Sequence, residues 1–388
     1  MSVLDVGYDI SATVGMAEED IATPALVVDL DAFERNIRKM GELTRGLGVA
    51  HRAHAKTHRS ADIARIQMDM GGAVGVCCQK VAEAEALVRG GISDVLVSNE
   101  VTDPAKIDRL AKLPTHGARI GVCVDDVSVV ADLASAAARH ETTLDVLIDV
   151  ECGQRRCGVM PGGPAAELAR AVAAAPGLRF AGIQVYQGSA QQIRPFQARM
   201  SAIEQAAKAA RETVAALKDA GLACEVITGG GTGSFETDAA SGVFTEVQAG
   251  SYCFMDASYL RNLGEDGKPT SLFEPALFVL SSVMSVAATG RAVCDAGLKS
   301  MSAESGLPVI FGRTDVTYQG ISDEHGVLTD PNDVLRLNDR LRLVPGHCDP
   351  TCNLHDHYVG VREGLVEAIW PVSARVRSWW VSPVDPRQ

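Results

Sequence analysis

From about residue 50 to residue 255 the chain repeats one unit: a short β-rich run ending in small or polar residues, then an amphipathic segment rich in Ala, Leu, Glu and Arg. That alternation constrains the fold more than any other feature. Strands separated by helices pair in parallel, and a parallel sheet needs both faces covered. The strand-like runs are HRAHAK, AVGVCC, DVLVSN, RIGVCV, DVLIDV, AGIQVY, CEVITG and FTEVQAG. Between them lie helix-like runs such as KVAEAEALVRGG, SVVADLASAAARH and FQARMSAIEQAAKAARETVAALKDAG, several of which end on Gly, as helix C-termini do. Eight strands predict a closed (β/α)8 TIM-type barrel. The competing arrangement is an open doubly wound sheet, but no GxGxxG follows the first strand.

Ahead of the repeat, TPALVVDLDAFERNI reads as one strand and one helix. After residue 270 the runs SLFEPALFVLSSVMSVAATGRAVCDAG, GVLTDPNDVLRLNDRLRLVPGH and YVGVREGLVEAIWPVSARVRSWW alternate apolar and polar residues between Gly, Asp and Pro turns. They predict a C-terminal, mostly antiparallel β domain. The expected division is a barrel over 22–265, whose first strand could pair with the second domain, a β domain over 266–388, and an N-terminal extension over 1–21. Lys and Arg number 36 against 49 Asp and Glu, a net charge of −13, which argues against nucleic-acid or anionic-membrane partners. There is no signal-like h-region and no apolar run long enough to span a membrane. The ten cysteines follow no disulfide framework, so reduced thiols and a cytoplasmic location are expected.

A barrel of this type carries its chemistry at the C-terminal ends of the strands. The loops after strands 7 and 8, GGGTGS (Gly229 to Ser234, with Gly231 and Thr232) and GSY (Gly250, Ser251, Tyr252), offer bare amides and hydroxyls suited to a phosphate. Lys56 ends strand 1 in HAKTH, amid Arg52, His54, His58 and Arg59; nearby cations would lower its pKa and favour the free amine. A lysine and a phosphate cradle on one rim point to pyridoxal 5'-phosphate. Arg156, in GQRRCGV, could bond the ring hydroxyl, although Arg155 stands beside it. Tyr186 could line the ring, and Gln79 could bond the ring or the substrate carboxylate.

These motifs carry a resemblance. TPALVVDLDAFERNI, HAKTH, CCQKVAEAEAL, VLVSNEV, GQRRCGV, ITGGGTGS, TEVQAGSYCFMD, DAGLKS, DEHGV and GHCDPTCNLHD stand in the order seen in fold-type III pyridoxal-phosphate enzymes. The chain resembles the family that contains D-threonine aldolase, 3-hydroxy-D-aspartate aldolase and D-serine dehydratase, over nearly its whole length. The resemblance implies a homodimer with Lys56 as the Schiff-base lysine and Arg156 at the cofactor. It also implies that Thr232, Gly250, Ser251 and Tyr252 hold the phosphate and that His347 and Asp349 bind a metal. Two departures stand out: Gln187 in VYQGS and the run AQQIR lack histidines of the D-threonine aldolase pattern. Ala53 replaces a frequent proline.

The stretch GHCDPTCNLHDH then becomes readable. His347-Cys348-Asp349 is the H-x-D form of the aldolase branch, where the dehydratase branch has H-x-C. On a strand, positions 347 and 349 would share a face and Cys348 would point away. A carboxylate without thiolate suits Mg2+ or Mn2+, and two protein ligands leave the sphere open for catalysis. The expected reaction is retro-aldol cleavage of a β-hydroxy-D-amino acid to glycine and an aldehyde, either glyoxylate from 3-hydroxy-D-aspartate or acetaldehyde from D-threonine. The loss of the pattern histidines favours the former, whose extra carboxylate Arg194 or His325 could meet. A metal-bound water, His54 or His58 would be the base. Elimination of water by a dehydratase is the alternative.

Overall fold

The structure, a computed structural model, describes residues 5–375. The ends of the expected N-terminal extension and β domain (1–4 and 376–388), with the last part of the YVGVREGLVEAIWPVSARVRSWW run, lie outside the described residues. Strand β1 (Ala25–Asp29) leads into helix α1 (Leu30–Leu47). The Asp29 carboxylate caps that helix by accepting from Ala32 N at 3.0 Å, and Gly48 ends it in the left-handed region with φ 70°. Its buried stripe of Phe33, Ile37 and Met40 recurs at helical spacing.

Eight parallel strands then close a barrel: β2 (Ala50–His54), β3 (Gly75–Cys78), β4 (Asp94–Glu100), β5 (Arg119–Val124), β6 (Leu144–Asp149), β7 (Leu178–Val185), β8 (Val226–Gly229) and β9 (Glu246–Val247). These are the eight runs expected from the sequence, and β9 pairs back onto β2. Helices α2 (Ala61–Asp69), α3 (Val81–Arg89), α4 (Pro104–Lys112), α5 (Val127–His140), α6 (Gly163–Ala174), α7 (Phe196–Asp219) and α8 (Phe235–Ala240) form the outer layer. Period-two alternation along β2 sends Ala53 outward to the helices and turns Arg52 and His54 into the lumen. Arg52 closes the bottom of the barrel, with Nε 3.0 Å from Glu246 and Nη1 2.5 Å from Asp94. It therefore does not stand beside Lys56, as the sequence suggested, but four residues earlier, at the far side of the lumen from the mouth.

The second sheet comprises β10 (Leu277–Ala288), β11 (Arg291–Cys294), β12 (Val309–Ile310), β13 (Thr317–Ile321), β14 (Gly326–Thr329), β15 (Arg340–Val344), β16 (His357–Arg362) and β17 (Leu365–Pro371), joined by β1. Strand β1 runs antiparallel to β10 and parallel to β16. An aromatic cluster seats this sheet on the barrel: Phe254 lies 5.9 Å from Phe33 and 5.5 Å from Tyr358, ring centre to ring centre. Each such pair adds about 0.5–1.5 kcal/mol beyond burial. The Tyr358 hydroxyl also donates to the His58 carbonyl at 2.6 Å, tying β16 to the turn that follows β2. The loop between β15 and β16 thereby overhangs the barrel mouth. Among the described residues no helix is long and apolar enough to cross a membrane.

Candidate active site

The mouth holds a cavity of about 270 Å3 lined by His54, Lys56, Gln79, Arg156 and Tyr186, all five expected from the sequence, together with Gln154 and others. Lys56 stands in the turn just after β2. Its ammonium pairs with the Asp349 carboxylate, and its side chain is 34% exposed, toward the cavity. Burial works against the charge, but Asp349 and then Tyr186 outweigh it, so the amine is held above the ordinary lysine value. This corrects the expected lowering. Arg52 is spent at the barrel floor, Arg59 pairs with Glu83, and both nearby histidines are driven toward neutrality.

Those two histidines part company. His54 faces the cavity with Nε2 3.1 Å from the Gln79 amide nitrogen and 3.2 Å from Ser98 Oγ; burial, then Lys56, pushes its pKa well down. His58 is fully buried and turned inward: Nε2 meets Gln67 Oε1 at 3.0 Å, Nδ1 accepts from Ser60 N at 3.1 Å, and burial pushes the ring to about 4. It does not line the cavity. Beneath the mouth Asp149 is pushed up to about 8, by burial first and then by Glu100, and it accepts from Gln184 Nε2 at 3.2 Å.

His347 and Asp349 come together at the same mouth, but not on a strand. Pro345 and Gly346 end β15, and Pro350 sits in the first turn of a five-residue helix, α9 (Cys348–Cys352), a position where its fixed φ suits a helix. His347 is the extended residue before that helix, and Thr351 Oγ1 donates to its carbonyl at 2.8 Å. His347 Nε2 lies 3.8 Å from Asp349 Oδ1, while Nδ1 is held by Glu304. Cys348 is fully buried, and its thiol lies 3.5 Å from Asp349 Oδ1 rather than pointing away from the pair as the strand reading expected. Asp349 also accepts from Ser251 Oγ at 3.2 Å. Burial would raise its pKa, but Lys56 and His347 hold it below the usual carboxylate range.

The glycine-rich loops sort differently from their sequence reading. Thr232 Oγ1 is buried without a partner. The Gly231 amide is taken up by Ser234 Oγ at 3.1 Å. A Cβ on Gly250 would stand 2.5 Å from the His54 carbonyl, so glycine is required for the loop after β9 to pack on the end of β2. The Tyr252 phenol is not in the cavity. It is fully buried, accepts from Gln67 Nε2 at 3.2 Å and packs edge-on against His51. Arg156 is exposed on the loop after β6, with its guanidinium carbon 5.8 Å from the Tyr186 ring centre.

Residues 28–258 match the family model of the alanine racemase N-terminal domain, and residues 276–361 that of the serine dehydratase domain. The chain is 55% identical to a 3-hydroxy-D-aspartate aldolase of Paracoccus denitrificans (strain Pd 1222), over 97% of both chains. It belongs to the fold-type III pyridoxal-phosphate family. It is also 48% identical to a D-threonine aldolase of Arthrobacter sp., over 92% of this chain and 93% of that one. The crystal structure of a D-threonine aldolase from Filomicrobium marinum superposes with a TM-score of 0.90 at 48% identity, covering 94% of this chain and 99% of the other.

For a fold-type III protein the cofactor fits the donors present. An amine opens on the cavity, and a buried threonine hydroxyl has no partner. The metal pair fits too: a histidine whose second ring nitrogen is held by a carboxylate is the usual arrangement around a bound cation. Other residues sort differently from their sequence reading. Arg194, considered as a substrate cation, spends its guanidinium on Ser258 O (2.5 Å), Ser258 Oγ (2.9 Å) and Asn262 Oδ1 (2.7 Å). His325 stands exposed in the β13–β14 turn. Gln187 donates away from the cavity to Cys152 O at 3.3 Å, whereas Gln154, which the sequence reading of GQRRCGV gave no role, lines it and accepts from Gly188 N at 2.9 Å. Glu304 likewise carries no signal in its local sequence.

Proposed function

We propose that this chain is an aldolase that cleaves a β-hydroxy-D-amino acid, 3-hydroxy-D-aspartate foremost, reversibly to glycine and glyoxylate, using pyridoxal 5'-phosphate and Mg2+ or Mn2+. The observation that carries this reading is the pairing of Lys56, which opens on the cavity, with Asp349 of the His347–Asp349 pair at the barrel mouth. A cofactor anchor and a cation pair so placed address adjacent carbons of a single small substrate. The choice of substrate rests on the 55% identical relative, whose name is 3-hydroxy-D-aspartate aldolase. Gln187, turned out of the cavity, no longer bears on it.

In this reading Lys56 would bond the cofactor aldehyde, Thr232, Gly250 and Ser251 would hold its phosphate, Arg156 and Tyr186 would contact its ring, and His347 and Asp349 would hold the cation. The cofactor ring supplies a sink for the electrons of a bond broken at Cα, and the cation supplies a Lewis acid for the β-hydroxyl. The chain's own part is placement and proton handling. Glu304 fixes the His347 ring so that Nε2 looks toward Asp349. Gln79 holds His54, whose ring burial keeps neutral at pH 7. His58 is left with a structural role. The protein acts as a homodimer, in keeping with the family resemblance. Its ten free cysteines suit the reducing cytoplasm.

The test is product analysis. With 3-hydroxy-D-aspartate, cofactor and Mg2+, glycine and glyoxylate should appear together in equal amounts. Oxaloacetate and ammonia without glycine would mean a dehydratase and sink the proposal. Faster release of glycine and acetaldehyde from D-threonine would shift the substrate assignment to that amino acid.

A further inference from the structure

We propose that Gln191 is a positioning residue for the cofactor phosphate: it locks the loop after β8 in the one shape that leaves Thr232 free for the ligand. The proposal rests on the reading that this loop holds the phosphate of pyridoxal phosphate. Gln191 follows β7 in the neighbouring loop and is 4% exposed. Its side-chain amide bonds the glycine-rich loop with both ends. Nε2 donates to Ser234 Oγ at 2.7 Å, and Oε1 accepts from Gly233 N at 2.9 Å. Ser234 Oγ in turn accepts from Gly231 N at 3.1 Å. Two amides of the loop are thus consumed internally, one by Gln191 and one by the hydroxyl that Gln191 holds. Between them stands Thr232, whose buried hydroxyl has no partner.

The glycines of this loop gain a second reason from the same contact. A Cβ on Gly231 would lie 2.5 Å from Gln191 Oε1, and one on Gly233 would lie 2.9 Å from the Gln191 carbonyl. The loop is bare there so that Gln191 can enter, not only so that an anion can approach. Gln191 is itself held from behind: Asn262 Nδ2 donates to its carbonyl at 3.0 Å. Preorganised donors cost no reordering when the ligand arrives, so loss of the brace should appear in phosphate affinity before it appears anywhere else.

The experiment titrates cofactor-free full-length protein with pyridoxal 5'-phosphate and, separately, with pyridoxal, which lacks the phosphate. Gln191→Met keeps the volume and removes the hydrogen bonds. It should raise the Kd for pyridoxal phosphate roughly tenfold, the scale of one or two lost buried hydrogen bonds, and move the Kd for pyridoxal less than about twofold. Ser234→Ala, a second variant in case Gln191→Met does not fold, should give the same pattern. If both variants bind the two aldehydes as the wild type does, or weaken both equally, the positioning role is overturned. Thr232→Val separates that failure from failure of the underlying reading. If it too leaves pyridoxal phosphate binding intact, and the wild type prefers neither aldehyde, the loop is not the phosphate site at all.

Discussion

Replacing Arg194 by Met distinguishes a brace from a substrate contact. The guanidinium makes three hydrogen bonds, to Ser258 O at 2.5 Å, Asn262 Oδ1 at 2.7 Å and Ser258 Oγ at 2.9 Å, and both acceptor residues are only 3% exposed. A hydrogen bond from a charged donor contributes about 1.5–3 kcal/mol, and an acceptor left buried and unpaired costs about 1–3 kcal/mol. Met keeps the packing of the aliphatic stem, and Arg194 is only half-buried, so water can replace part of the loss. The net destabilisation should be about 2–4 kcal/mol, measured by urea unfolding of the holoenzyme. The ratio of kcat/KM for 3-hydroxy-D-aspartate to that for D-threonine should stay within about threefold of the wild type, less than 1 kcal/mol of discrimination. The damage has a direction. Ala257 N and Ser258 N donate to Pro345 O (3.0 Å) and Gly346 O (3.1 Å), immediately before His347, so divalent-cation affinity should weaken as well. Unchanged stability with a tenfold or larger loss of the preference for the dicarboxylate would refute the brace and return Arg194 to the substrate.

Four further outcomes follow from the same geometry. Tyr252→Phe should leave cofactor affinity unchanged and cost about 1 kcal/mol of stability, because the phenol bonds Gln67 in the core; weaker phosphate binding would place the hydroxyl in the cradle instead. Gly250→Ala should abolish cofactor binding or soluble expression, since its Cβ would meet the His54 carbonyl at 2.5 Å; a fully active variant would refute that packing. His51, which burial pushes down to about 4, binds its proton more readily unfolded than folded, so its contribution is complete above pH 6.5 and is lost as pH falls toward 4. The difference, 6.5 − 4 = 2.5 units, corresponds to about 3 kcal/mol at the acid end; His58, pushed to about 4 as well, adds to the same slope, so in urea unfolding between pH 6.5 and 4 His51→Gln should make the slope shallower without abolishing it, and an unaltered slope would refute the assignment. Asp349→Cys should shift metal preference toward zinc, and unchanged selectivity in metal-binding titrations would count against Asp349 as a ligand.

The barrel was legible because its signal is periodic. Each of the eight runs buries both faces, so apolar content marks it regardless of partner, and the Gly and Asp punctuation between runs marks the ends. Side-chain direction was legible where a strand delivers the residue. His54 and Gln79 lie at or just beyond strand ends and face the cavity. His58 and Tyr252 lie in turns, where alternation no longer sets direction, and both side chains rotate into the core.

The same limit explains the H-x-D triplet and the electrostatics of Lys56. Period-two reasoning brought His347 and Asp349 together, yet Pro345 ends the strand and Pro350 sits within a helical turn, and the two side chains converge by a different geometry. The charge that governs Lys56 comes from a residue 293 positions away, which no local window contains, while the local cations that seemed decisive are each paired elsewhere or neutralised by burial. Glutamine is least legible of all. Gln191 carries no charge, and although the run AQQIR that holds it was noted for a missing histidine, a sequence window cannot tell a surface amide from a buried one. Only burial and two opposed hydrogen bonds, one donated and one accepted, give it a role, and a side chain that reads both a hydroxyl and an amide on one loop can act only when the two neighbouring loops of the barrel are already in place.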